Sequence, residues 1–159
     1  MFQVGDKIVH PMHGAGIVDS IVTKKVNGIK RDYYILKLPV GGMVVMIPTA
    51  TSDTIGVRAV IDAGQANRVI DAIPSLPIDM TAGWNQRYRE NMTHLKSGDL
   101  LEVALVVKGL TRRDNDRGLS TGERKMLHTA RQILISELVM SQSATYDEME
   151  RRVNAALAQ

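Results

Sequence analysis

The hydrophobic pattern changes its period once along the chain, near residue 56, and this change constrains the fold more than any other feature. Before it, β-branched and aromatic residues form short runs at the roughly 8–12-residue spacing of a small antiparallel sheet or barrel. After it, apolar residues recur at helical spacing. The sequence therefore predicts an α+β protein, with a β domain over residues 1–55 and a compact, all-helical domain over residues 56–159.

Four strands are predicted in the first part, over residues 2–9, 16–22, 33–38 and 43–47. Asn27-Gly28 stands between the second and third strands, and it predicts a hairpin because both residues tolerate a positive φ. The fourth run is apolar on both faces. It is either a central strand or an edge strand that a strand of another chain extends, and the pattern slightly favours the central position.

Five helices are predicted in the second part, over residues 65–73, 84–96, 99–116, 120–140 and 145–157. Two of them open with capping-box spacing, Ser120 with Glu123 and Thr145 with Glu148. In such a box the hydroxyl accepts a hydrogen bond from a free backbone N–H of the first turn, and the carboxylate accepts one from the backbone N–H of the capping residue. Residues 74–83, with two prolines and a final glycine, predict a linker.

Composition excludes several classes of site. The chain has no Cys, which excludes a disulfide framework, a thiolate zinc site and a Cys nucleophile. His10 and His13 form the only close His pair, and we interpret them as solvated turn residues because no carboxylate cluster accompanies them. No phosphate-binding loop or nucleophile elbow is present. We therefore expect a non-enzymatic binding protein without a metal or cofactor.

The N-terminal segment is broken by Gln3, Asp6 and Lys7, so it does not predict a signal peptide. No apolar run approaches the roughly 20 residues of a membrane span. Together with the absence of Cys, which suits a reducing compartment, these features lead us to expect a cytoplasmic protein that has no contact with a membrane.

Trp84 is the only Trp of the chain, and Arg87, Tyr88 and Arg89 follow it closely. From Trp84 to Arg131 there are ten basic and six acidic residues, an excess larger than the net charge of +3 of the whole chain. Cations near helix N-termini could hold a phosphate backbone, and an exposed ring could stack on an unpaired base. Two alternatives remain open, a Trp buried in the core and a basic surface that is merely solvated.

The chain resembles the CarD/CdnL family of bacterial transcription regulators that bind RNA polymerase. Its opening, FQVGDKIVHPMHGAGIV, is similar to the N-terminal signature of that family. Successive segments of the family's helical domain are similar to GWNQRYREN, DLLEVALVVKGLTRRD, RGLSTGERKML and ARQILISEL. The first domain also resembles the polymerase-interacting module of the transcription-repair coupling factor, a larger helicase that would not share the helical half.

The resemblance implies a Tudor-like β domain that binds the β-subunit lobe of RNA polymerase, and a helical domain that contacts promoter DNA at the upstream edge of the transcription bubble. It implies DNA contacts from Trp84 as a wedge, together with Asn85, Arg87, Arg89, Arg124 and Lys125. It implies polymerase contacts from Lys24, Met43, Val44, Val45, Met46 and Ile47.

Three positions depart from the pattern of the family. Lys24 and Met46 stand where the family has arginines that contact polymerase, and Gln86 stands where a basic residue is common. A lysine keeps the charge of arginine but loses its planar fork, whereas a methionine loses the polar contact altogether.

The resulting hypothesis is a non-enzymatic factor that docks on polymerase and stabilises the open promoter complex, with little dependence on DNA sequence. It would be associated with the nucleoid through polymerase. Two other classes stay open. A polymerase-independent architectural DNA-binding protein would bind duplex DNA tightly, with a steep salt dependence. A pure protein–protein adaptor would have Trp84 buried.

Overall fold

The structure is a computed structural model that describes residues 1–159. The β part contains β1 (Lys7–His10), β2 (Gly14–Val26), β3 (Ile29–Lys37), β4 (Val44–Pro48), a short helix α1 (Ser52–Ile55) and β5 (Arg58–Ala59). The helical part contains α2 (Ala63–Ala72), α3 (Trp84–Lys96), α4 (Leu100–Arg117), α5 (Thr121–Gln142) and α6 (Tyr146–Leu157). None of these helices is both long and apolar enough to cross a membrane.

The five strands form one antiparallel sheet in the order β4-β3-β2-β1-β5. Asn27 (φ 53°) and Gly28 (φ 78°) make the tight turn between β2 and β3, which confirms the predicted hairpin. Both strands are longer than predicted. β1 pairs with β2 only as far as Ile17, and β4 pairs with β3 only from Tyr33 onward. Residues 23–32 therefore project from the sheet as a two-stranded ribbon, called here the hairpin arm.

β4 is an edge strand, which corrects the slight preference of the sequence for a central position. The Leu38 N–H donates to the Met43 carbonyl at 2.9 Å, so the odd-numbered residues of this segment bond to β3. The backbone N–H and C=O groups of Val44 and Met46 therefore point to the free side of the sheet. Pro48 occupies the next outward-facing position, where its missing N–H costs no ladder bond.

The helical domain has a core of 20 packed buried residues, to which all of α2 to α6 contribute. α3 supplies only Leu95, which lies in its last turn. The C-terminal end of α3 is thus held by the core, while its first turn, which begins at Trp84, lies at the protein surface.

A seam of buried polar contacts joins the two domains through α5. The Ala15 N–H of β2 donates to Ser136 Oγ at 2.9 Å. Arg58 of β5 binds the buried Glu137 with both arms of its guanidinium, at 2.6 and 2.7 Å, and the Ile61 N–H donates to the same carboxylate at 3.0 Å. Because Glu137 is fully buried, this pairing supplies the partners that its charge requires.

The sequence predicted neither α1 nor β5, because elements of four and two residues are too short to show a period. Residues 2–6 were predicted as part of the first strand but lie outside β1, in a turn around Gly5. β5 brings Arg58 into the sheet, three residues beyond the domain boundary expected at residue 55.

The predicted capping box of Thr145 and Glu148 is confirmed, with both of its hydrogen bonds present at the start of α6. At the start of α5 only half of the predicted box forms. Ser120 accepts the Glu123 N–H at 3.2 Å, but the Glu123 carboxylate turns to other partners.

His10 is the last residue of β1 and His13 lies in the turn that follows it, with the two rings 4.5 Å apart. His13 is exposed, as predicted, whereas His10 is partly buried and its Nδ1 accepts the Met12 N–H at 3.1 Å. Burial, and then the neighbouring His13, lowers the pKa of His10 from 6.5 to about 4. The folded protein therefore holds a neutral His10 over a pH range in which the unfolded chain becomes protonated.

We expect the free energy of unfolding to fall as the pH decreases from about 6.5 towards 4. Over this range His10 is protonated in the unfolded chain but stays neutral in the folded protein. Above that range the contribution is fully present. His10→Asn keeps an acceptor for the Met12 N–H but cannot titrate, so its stability should fall less steeply over the same range. Urea unfolding at several pH values checks this, and parallel curves for the two proteins would contradict it.

Candidate functional site

Trp84 lies at the surface, with 45% of its area exposed, so it is not a core tryptophan. Its ring stacks on Tyr88, one turn further along α3, with centroids 5.2 Å apart and planes inclined by 19°. The indole Nε1–H donates to Ser120 Oγ at 3.1 Å, which ties the first turn of α3 to the capping residue of α5.

Gly122, in the first turn of α5, lies against both aromatic rings. A Cβ at this position would stand 3.9 Å from Tyr88 Cε2 and 4.0 Å from Trp84 Cζ2. The Trp84 ring is therefore supported by Tyr88 and by the start of α5, while the rest of the ring faces solvent. A supported ring loses little freedom when a flat partner stacks on it, which favours binding.

Exposed polar side chains occupy the same two helix ends. Asn85 and Arg89 are exposed on α3, and Arg124 and Lys125 are exposed on α5. Arg124 Nε donates to the Leu119 carbonyl at 3.2 Å, which anchors the side chain beside the start of its own helix. The Trp84–Ser120 hydrogen bond joins the starts of α3 and α5, so these predicted residues lie on two helix ends that are in contact.

Arg87 is placed differently from the other predicted cations. Its side chain is only 11% exposed, and its guanidinium pairs with Glu123 at 3.3 Å and donates to the Ala82 carbonyl at 2.9 Å. Glu123 is 2% exposed, and its carboxylate also accepts the Ser120 hydroxyl at 3.3 Å. The sequence missed Glu123 as a member of the site, because spacing along one helix cannot show a partner on another.

The predicted polymerase-binding residues divide into two groups. Met43, Val44 and Met46 are exposed beside the free edge of the sheet. Val45 is partly buried against the β core, and Ile47 is buried within it, so the Ile47 side chain is not accessible to a partner. The apolar run thus has one face in the core and one face exposed.

The exposed face of β4 continues across the sheet. Val44 lies opposite Lys37 of β3, which lies opposite the exposed Ile17 of β2, and Met46 lies opposite Ile35. We call these exposed or partly exposed apolar residues the outer patch: Ile17, Ile35, Met43, Val44 and Met46. Lys24 is exposed on the hairpin arm, next to the same sheet.

Comparisons with known proteins agree over both domains. Residues 2–61 match the family model described as the CarD-like/TRCF RID domain, and residues 68–154 match the model described as the CarD C-terminal domain. The chain belongs to the CarD family. It is also 36% identical over 150 residues to the Bacillus subtilis (strain 168) protein named "Putative transcription factor YdeB", an alignment that covers 94% of this chain and 98% of that protein.

CarD-family membership confirms the resemblance drawn from the sequence, and with it the Tudor-like character of the N-terminal β domain. The two matched regions meet between residues 61 and 68, after β5 and within α2. Arg58 therefore belongs to the N-terminal match, and its partner Glu137 belongs to the C-terminal match. The polar seam described above is the junction of the two CarD domains.

Proposed function

We propose that this CarD-family protein stabilises the open promoter complex. Its β domain binds the β-subunit lobe of RNA polymerase through the free edge of β4, and its helical domain places Trp84 at the upstream edge of the transcription bubble. The observation that carries this proposal is the exposed, supported indole ring beside cations that form no ion pair. The sheet of the other domain has a free edge, the apolar strand β4.

The chemistry of the DNA contact follows from the surroundings of Trp84. Its Nε1–H already donates to Ser120, so the ring offers a nucleobase its π-face rather than a hydrogen bond. Base stacking on an aromatic ring contributes about 1–3 kcal/mol and tolerates every base. Arg89, Arg124 and Lys125 would hold phosphates, which also carry no sequence information. Action at many promoters is the expected consequence.

A stacked ring acts by opposing the closing of the DNA fork. When the bubble collapses, the base that lies on Trp84 must leave the ring before it can pair again. A stabilisation of about 1–3 kcal/mol corresponds to about a 5- to 150-fold change in the equilibrium between open and closed DNA. If the free energies of open and closed DNA are nearly equal, a stabilisation of this size is enough to favour the open form.

The polymerase contact that we propose is the addition of a strand from the partner to the free edge of β4. Val44 and Met46 offer unpaired N–H and C=O groups, and the outer patch offers apolar surface for side chains of the added strand. Docking would raise the effective concentration of the helical domain at DNA, so that a weak affinity for DNA suffices.

The hairpin arm adds a charge preference to this contact. Lys24 lies directly opposite Arg31, and Lys25 lies directly opposite Lys30, so like charges face each other across the ribbon. Such pairs are destabilising, and an acidic partner surface would relieve them. We therefore expect the partner to combine an open strand edge with nearby carboxylates.

Val44→Pro should weaken capture of this protein by an isolated β-lobe fragment at least about tenfold, because it removes an N–H that faces the free edge and disrupts the added strand. The internal ladder should survive, since Val44 bonds to β3 with neither its N–H nor its C=O. Val44→Ala retains the N–H and is the matched control. Equal capture of the two variants would place the docking surface elsewhere.

The proposal as a whole is tested by the lifetime of open complexes that purified polymerase forms with and without this protein. A longer lifetime in its presence is the expected result. A protein that bound duplex DNA tightly without polymerase, and left the lifetime unchanged, would instead be an architectural DNA-binding protein.

A further inference from the structure

We infer that Arg87, Glu123 and Ser120 form a network that positions the Trp84 ring, and that Arg87 does not itself hold a phosphate. This inference rests on the proposed function for its meaning at DNA. The network exists in the protein without any partner, however, so it can be tested separately.

Ser120 Oγ lies at the centre of the network. It accepts the Trp84 Nε1–H at 3.1 Å and the Glu123 backbone N–H at 3.2 Å, and it donates its own proton to Glu123 Oε1 at 3.3 Å. A hydroxyl has one donor and two acceptor sites, so all its capacity is used. Because the hydroxyl hydrogen points at the carboxylate, the lone pairs of Oγ are turned towards the indole and the helix amide.

Arg87 holds that carboxylate in place. The guanidinium lies 3.3 Å from Glu123 Oε2 and compensates a charge that would otherwise be buried without a partner. Nη1 also donates to the Ala82 carbonyl at 2.9 Å, two residues before Trp84. Arg87 thus orients both the backbone that leads into α3 and the hydroxyl that receives the indole N–H.

Arg124 provides the contrast within the same surface. Its side chain is exposed and forms no ion pair, and its one hydrogen bond is to a backbone carbonyl at 3.2 Å. A phosphate can approach Arg124 without breaking a charge pair. The Arg87 guanidinium already donates from Nε, Nη1 and Nη2 to Glu123 and Ala82. A phosphate that drew it away would leave a buried carboxylate without its charge partner, which is strongly unfavourable.

The first test uses the free protein, in which fluorescence comes chiefly from the single Trp. We expect Arg87→Gln and Ser120→Ala each to increase quenching of Trp84 by acrylamide about twofold or more, because the ring loses its anchor. Arg124→Gln should leave quenching unchanged. If Arg87→Gln also left it unchanged, the network would not position the ring, whatever Trp84 does at DNA.

The second test separates positioning from phosphate contact. Binding of the full-length protein to a DNA duplex with an unpaired segment is measured over a range of low salt concentrations. Each phosphate contact contributes about 0.9 to the slope of log affinity against log salt on duplex DNA. Arg124→Gln should lower that slope by about this amount, whereas Arg87→Gln should lower affinity about five- to tenfold with the slope preserved.

The double variant Arg87→Gln/Glu123→Gln covers the case in which the single variant loses its fold. It removes both charges together, so no unpaired carboxylate remains, and two amides can still hydrogen-bond. We expect it to recover most of the lost affinity with an unchanged slope. A slope that falls by about 0.9 in this variant would overturn the inference and return Arg87 to the phosphate contacts.

Discussion

Replacing Trp84 with Ala is expected to shorten the lifetime of the open promoter complex to near that of polymerase alone. The loss should be about 1–3 kcal/mol, the contribution of one base stacked on an aromatic ring. Capture by polymerase should be unchanged, because Trp84 lies on α3 and the proposed docking edge lies on β4. Lifetimes are measured by challenging preformed complexes with a DNA competitor.

Trp84→Phe is the matched control for this experiment. It keeps a ring that can stack on Tyr88 and on a base, but it lacks the Nε1–H that bonds Ser120. We expect an intermediate lifetime. Trp84→Ala loses the stack on Tyr88 and the bond to Ser120, so a modest loss of stability is expected, and urea unfolding verifies that all three proteins stay folded under the assay conditions. An unchanged lifetime for Trp84→Ala, with polymerase binding intact, would remove the wedge from the mechanism and leave an adaptor.

Glu137→Gln is expected to lower the free energy of unfolding by about 3 kcal/mol, near the lower end of the range for breaking a buried ion pair. The carboxylate accepts both arms of Arg58 and the Ile61 N–H, and an amide would turn its own NH₂ group towards one of these donors. Arg58 keeps some exposure, so water can compensate part of its lost pairing.

The matched control for this variant is Glu150→Gln, which makes the same chemical change in the partly exposed pair of Glu150 with Arg131 at 3.5 Å. Its effect should stay below about 1 kcal/mol. Both variants are compared by urea unfolding with circular dichroism. Equal losses in the two would show that the polar seam contributes no more than a surface pair.

Weakening the polar seam should also affect the open-complex lifetime more than it affects the binding of each domain to its own partner. Glu137→Gln leaves the free edge of β4 and the Trp84 surface intact, but it loosens the contact that sets one relative to the other. Capture by the polymerase lobe and binding to a DNA fork should each persist, while the open-complex lifetime shortens. The benefit of linking two binding sites falls when their geometry disfavours simultaneous engagement, so the lifetime should shorten although each site still binds.

Much of the fold could be predicted from local signals. The Asn27-Gly28 turn, the strand runs on either side of it and the five helices follow from φ preferences and hydrophobic period, which act over a few residues. The apolar run at residues 43–47 could be recognised as a strand in the same way. Its position at the sheet edge could not, because strand order depends on which distant segments pair.

The candidate site divides along the same line. Trp84, Arg124 and Lys125 could be named from composition, motif and resemblance, since their residue types suit stacking and phosphate contact. The structure places Trp84 at the surface and shows that Arg87 is engaged inside the protein. Neither fact is visible in the spacing along α3, where Arg87 and Arg89 look alike.

By itself, the sequence determined the α+β class and the order of the longer elements, because hydrophobic period and turn preferences act over a turn or two. Only the tertiary structure decided which residues are free and which are held. The Trp84–Ser120 bond spans 36 positions and the Arg58–Glu137 pair spans 79, so both depend on how separate elements pack. Packing leaves Trp84 partly exposed and buries Glu123 and Glu137, and a buried charge must take a partner.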